Sequence, residues 1–151
     1  MPPSDIQEES APVMSKRTDS WLRSIQVVAN VEADLGKVLQ ARHGLGLSDY
    51  RALDVLARSP DSELRMQELA AQLGLNQSSV SRVVERLERA GFTVRDLCPH
   101  DKRGVYTVLT ETGRERLESA QPDYEATLAM AVKAHGGEKL LSAGFTKTGE
   151  K

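Results

Sequence analysis

Residues 66–113 read MQELAAQLGLNQSSVSRVVERLERAGFTVRDLCPHDKRGVYTVLTETG, and this stretch decides the fold. Met66, Leu69, Ala70 and Leu73 fall at i, i+3, i+4 and i+7, the stripe of a short amphipathic helix. Val80, Val83, Val84 and Leu87 repeat that stripe, predicting a second helix over Gln77–Ala90. Gly74-Leu75-Asn76 joins the two as a tight turn. Phe92–Cys98 and Val105–Leu109 are rich in Val, Thr, Phe and Tyr and read as two strands around His100-Asp101-Lys102-Arg103-Gly104. Helix, turn, helix and a basic-tipped hairpin is the pattern of a winged helix-turn-helix, a shape that fits a DNA groove.

Working outward, a long helix is expected from about Thr18 to Arg42, with Trp21, Leu22, Ile25, Val28, Leu35 and Leu39 at three- and four-residue steps. Ser48 reads as the N-cap of a second helix over Asp49–Arg58. Thr110 reads as the cap of a helix over Glu111–Lys133, which Pro122 should kink or split. A short last helix is expected around Lys139–Ala143. The fold class is therefore mainly α with a small β-hairpin wing. Residues 1–16 read as a disordered tail and 17–145 as a single domain, with its winged helix-turn-helix over about 48–110. The flanking helices are expected over about 18–42 and 111–145, and 146–151 reads as a frayed C-terminus.

Composition narrows the function classes. The chain has 151 residues, 39% hydrophobic and 28% charged, the balance of one soluble domain. It offers no apolar run of membrane-spanning length and no secretory signal pattern at its start, so a cytoplasmic protein is expected. Its single cysteine excludes a disulfide framework and a cysteine-based zinc site. The net charge of −2 is no nucleic-acid signature by itself, but residues 76–104 carry six bases against four acids.

On the fourth helix the apolar stripe faces inward, which puts Ser78, Ser81, Arg82, Glu85 and Arg89 on the opposite face, with Gln77 at the start and Arg86 on the flank. Gln suits adenine, Arg suits guanine, and short serines allow close approach to bases or phosphates. The candidate DNA contacts are thus Gln77, Ser78, Ser79, Ser81, Arg82, Glu85 and Arg86, joined by His100, Lys102 and Arg103 from the hairpin. Asp101 and Gly104 are expected to shape the hairpin tip. An ordinary polar outer face and an ordinary charged turn are the competing readings, and the coupling of the two elements weighs against both.

These same residues resemble the MarR (multiple antibiotic resistance regulator) family of transcription regulators. The likeness lies in Leu69-Ala70 through Leu73-Gly74-Leu75, in Ser78 through Gly91, in the D-x-R pattern of Asp101-Lys102-Arg103, and in Leu109-Thr110-Glu111-Thr112-Gly113. Leu47-Ser48-Asp49-Tyr50-Arg51-Ala52-Leu53 is similar to the family's second helix. The resemblance implies a homodimer formed by the first and last helices, a fourth helix in the major groove and a wing in the minor groove. It implies repression at an inverted repeat in double-stranded DNA, relieved by a small, often aromatic, effector. No cofactor and no metal are implied.

Trp21, Tyr50 and Tyr124 are candidate walls of a ligand pocket, since such cavities favour aromatic linings, and equally candidates for plain core. Cys98 reads as structural or, alternatively, as a redox sensor, although no adjacent residue guarantees the thiolate that sensing needs. His43, His100 and His135 show no metal-ligand spacing. No nucleotide loop, carboxylate pair or nucleophile motif is present, so no enzyme is expected. Two alternatives stay open: a winged-helix module for protein contacts without DNA, and a cysteine-based redox-sensing regulator.

Overall fold

The computed structural model describes residues 15–97 and 105–145. Residues 1–14 of the expected tail and the hairpin tip, including Cys98, His100, Asp101, Lys102, Arg103 and Gly104, lie outside the described residues, as do residues 146–151. Helix α1 spans Lys16–His43, two residues earlier than its apolar pattern indicates, because the Ser15 hydroxyl accepts the Thr18 N–H at 3.1 Å and caps it. It ends at Gly44, whose φ of +64° is the left-handed turn a glycine makes cheaply. Val31, Leu35 and Leu39 form its buried stripe.

Helix α2 runs Leu47–Arg58 and corrects the expected cap at Ser48. Gly46 occupies the cap position, and the Asp49 carboxylate reaches back to accept its N–H at 3.2 Å. Leu47 thereby enters the helix and packs against both apolar clusters. A three-residue strand β1, Glu63–Arg65, follows a short 3₁₀ turn and was not legible in the sequence. Helices α3 (Met66–Leu73) and α4 (Gln77–Arg89) lie where their stripes indicate. Strands β2 (Thr93–Leu97) and β3 (Val105–Leu109) are antiparallel, and β3 lies between β1 and β2. Leu64, Thr107 and Arg95 align across the three strands.

Helix α5 spans Glu111–Ala134 as one continuous helix, so Pro122 does not split it. Pro122 and Glu118, the residue whose carbonyl loses its partner, are exposed, and water can satisfy that group. Helix α6, Glu138–Phe145, is longer than expected. The main core joins Leu39, Tyr50, Leu53, Leu56, Leu69, Val80, Val84, Leu87 and Leu109, so the head is built around α2. A second cluster, Val31, Leu35, Ala131 and Val132, seals α1 to α5. Among the described residues no helix is long and apolar enough to cross a membrane.

Candidate nucleic-acid interface

Gly74 at φ +66° turns the chain after α3, so that the Leu75 N–H reaches the Ala70 carbonyl at 3.0 Å. Asn76 then starts α4, its Oδ1 accepting the Ser79 N–H at 2.9 Å and the Ser78 hydroxyl at 3.0 Å. Val80, Val83, Val84 and Leu87 are buried as their spacing requires. Gln77, Ser78, Arg82 and Glu85 are exposed, with Ser79 and Ser81 partly so. The first two turns of α4 therefore present short polar side chains and one long cation.

Ion pairing separates the arginines of this region. Arg86 turns away from the outer face and places both Nε and Nη2 on Asp49 Oδ1, at 3.3 and 2.9 Å. Arg95 of β2 binds Glu88 at 2.6 Å. Arg89 stands 4.0 Å from Glu85. Arg82 has no ion-pair partner among the described residues. Of the helix contacts expected from the sequence, Arg86 is the one the structure ties to another element.

The base of the wing is bound to the start of α5. The Thr110 N–H donates to the Phe92 carbonyl at 3.0 Å, the Thr110 hydroxyl donates to the Gly91 carbonyl at 2.7 Å, and that hydroxyl accepts the Gly113 N–H at 3.0 Å. Arg116 lies over the Phe92 ring, 5.2 Å from its centroid, and donates to the His43 carbonyl at 2.7 Å. On β1, Arg65 donates to the Tyr106 hydroxyl at 3.1 Å. Asp49, Gly113 and Arg116 escaped notice as site residues. The signals for two of them were the carboxylate three residues after Gly46 and the glycine closing Leu-Thr-x-x-Gly.

The three candidate pocket aromatics are not brought together within the chain. Tyr50 and Tyr124 stack at 4.2 Å between ring centroids, whereas Trp21 is 65% exposed on the first turns of α1. Burial pushes both tyrosine hydroxyls above their usual pKa. A cavity of about 350 Å³ does open where the α1–α2 turn meets the end of α4, lined by Gly44, Leu45, Asp49, Arg86, Leu87 and Phe92 among others. His43 and His135 serve as ties between helices. His43 Nε2 lies 2.7 Å from Asp123 and His135 Nε2 2.9 Å from Asp34, joining α1 to α5 at two levels. Arg42 adds a contact to Asp123 at 3.1 Å. The His43 hydrogen bond, helped by Arg42, holds the Asp123 carboxyl below the usual carboxylate range.

Comparisons with known proteins agree with this architecture. The family model described as the MarR family matches residues 43–104. The helix-turn-helix-type transcriptional regulator YkoM of Bacillus subtilis is 36% identical over 90 residues, 59% of this chain and 56% of that protein. The match thus spans little more than half of that relative's length. Sco3205, a MarR family transcriptional regulator from Streptomyces coelicolor solved in complex with DNA, is 32% identical over 83% of this chain and 79% of its own, with a TM-score of 0.74. NadR, solved with 4-hydroxyphenylacetate, is 25% identical over 87% and 91% of the two chains, with a TM-score of 0.68. YkoM and Sco3205 are both described as transcriptional regulators. A helix-turn-helix capped by Gly74 and Asn76, a wing rooted on Thr110 and Gly113, and a 32% identical relative aligned over four fifths of its length together identify this chain as a member of the MarR family.

Proposed function

We propose that the protein is a homodimeric transcription regulator that binds an inverted repeat in double-stranded DNA and represses there until a small aromatic acid releases it. The observation that carries this reading is the outer face of α4, where Gln77, Ser78 and Arg82 stand exposed beyond a fully packed inner stripe. Arginine recognises guanine bidentately and glutamine recognises adenine, so this face suits base edges in a major groove. The DNA held by Sco3205 supports the same use of the fold.

Three further observations support the finer parts. Trp21, Leu22, Ile25 and Val28 on α1 and Leu140 and Leu141 on α6 are exposed, more apolar surface than a monomer of this size normally leaves in water. A groove of about 400 Å³ between α5 and α6, lined by Leu128, Val132 and Leu141, offers that surface a seat in a second copy. The aromatic acid in NadR supports the effector class.

Selection of duplexes from a random pool, followed by titration of the winner, tests the reading. The selected site should hold two half-sites about 10 bp apart, and affinity should fall steeply with salt. Arg82→Ala should cost about 1 to 3 kcal/mol and relax preference at one base pair per half-site. A uniform loss on all sequences would reassign Arg82 to phosphate, and a chain that enriches no duplex at low salt would refute DNA binding.

A further inference from the structure

We propose that Arg86 is a positioning residue of α4 and not a DNA contact, clamped by Asp49 so that α4 keeps its angle to α2 and to the turn after α1. The inference rests on the DNA-binding reading above and deepens it. Arg86 projects from the helix that faces DNA and would count as a phosphate contact on its charge alone. The structure puts it to a different use.

Asp49 is engaged on both oxygens. Oδ1 takes two guanidinium nitrogens of Arg86, and Oδ2 takes the N–H of Gly46 at the start of α2. The carboxylate side chain is only 12% exposed. Opening the pair to lend Arg86 to a phosphate would leave a charge on a mostly buried carboxylate without its counter-ion, which is costlier than keeping the pair closed. One interaction thus joins α4, α2 and the α1–α2 turn.

Position along the helix agrees. Arg86 lies nine residues beyond Gln77, about 13 Å along the axis, away from the N-terminal turns that approach DNA. The end of α4 is already fixed by the hydrogen bonds of Thr110 to Gly91 and Phe92. The Arg86 clamp, one turn earlier, supplies a second fixed point. Two points set the direction of an axis, and one alone would let the reading turns swing.

The test measures binding of the parent, Arg86→Ala, Arg86→Lys, Asp49→Asn and the Arg86→Ala/Asp49→Asn double variant to the duplex selected by the parent, from 50 to 200 mM salt. Circular dichroism first confirms that each variant is folded at the temperature used. Arg86→Ala and Asp49→Asn should each weaken binding about tenfold, and the double variant should be no weaker than either. The slope of log affinity against log salt should match the parent's in all variants, because no phosphate contact is lost. Arg86→Lys should fall short of the parent, since an ammonium cannot reproduce the forked contact. A slope lowered by about one in Arg86→Ala, with Asp49→Asn binding as well as or better than the parent, would overturn the inference and make Arg86 a phosphate contact. A parent that captures no duplex would instead overturn the reading on which it rests.

Discussion

A Cβ placed on Gly113 would stand 2.2 Å from the carbonyl oxygen of Phe92. It would also come within 2.8 Å of Leu109 Cδ1. The first turn of α5 therefore lies against the corner between α4 and β2 at a distance that only glycine permits. The neighbour that must give way is backbone, already committed to the Thr110 N–H. Gly113→Ala should cost about 2 to 4 kcal/mol of stability even though alanine is the better helix former. Urea unfolding measures it, and a loss below about 0.5 kcal/mol would show that the corner yields freely.

The buried Thr93 hydroxyl has no hydrogen-bond partner among the described residues. Thr93→Val keeps the branched shape and removes an unsatisfied group. It should leave stability unchanged or raise it by up to about 1 kcal/mol. A clear loss in the same urea measurement would reveal that the hydroxyl is satisfied.

Tyr50 and Tyr124 have folded pKa values raised above the unfolded value of about 10. The fold therefore favours their neutral forms. Their contribution is complete below pH 10 and is lost as pH rises towards and through the folded values. With three tyrosines in the chain, denaturation at pH 10.5 should release protons from these two and raise absorbance near 295 nm. Tyr50→Phe should shrink that jump; an unchanged jump would refute the assignment.

Asp123 behaves in the opposite sense. Its folded pKa is depressed by the His43 hydrogen bond, so its contribution is present above its unfolded value of about 3.9 and is lost as pH falls through the lower folded value. Asp123→Asn should flatten the dependence of melting temperature on pH below about 4. Equal acid slopes in parent and variant would show that the tie between α1 and α5 carries no proton linkage.

Ile25 and Leu128 separate dimerisation from folding. Ile25 is 47% exposed on α1, whereas Leu128 packs against the cluster that seals α1 to α5 in its own chain. Ile25→Asp should yield a folded monomer of 16.6 kDa by light scattering. Leu128→Asp should lower the melting temperature of the protomer itself. A dimer that survives Ile25→Asp would exclude this face of α1 from the proposed interface.

The six helices were legible because each carries its own periodicity, and α3 and α4 needed nothing beyond apolar spacing and a Gly-x-Asn turn. β1 was not legible. Glu63-Leu64-Arg65 has no strand propensity, and its conformation is set by the free edge of β3, a partner more than forty residues away. The start of α2 was misplaced for a related reason, since a glycine with a carboxylate three residues on outcompeted the serine that looks like the better cap. Charge and spacing put Arg82 on the outer face of α4 and Arg86 on its flank, but could not show that Arg86 is ion-paired. Only the third dimension brings Asp49, 37 residues away, to Arg86.

The pairing of acids with three of the four arginines on α4 and β2 also bears on how the protein would search a chromosome. Attraction to random duplex grows with the number of cations free to displace counterions. Here Asp49, Glu88 and, more loosely, Glu85 occupy Arg86, Arg95 and Arg89. On the proposed reading, these three arginines add little to the hold on a wrong site, and on α4 the residence time depends mainly on whether Arg82 and its neighbours meet matching bases. Discrimination would then come less from strong binding to the right sequence than from weak binding to every other.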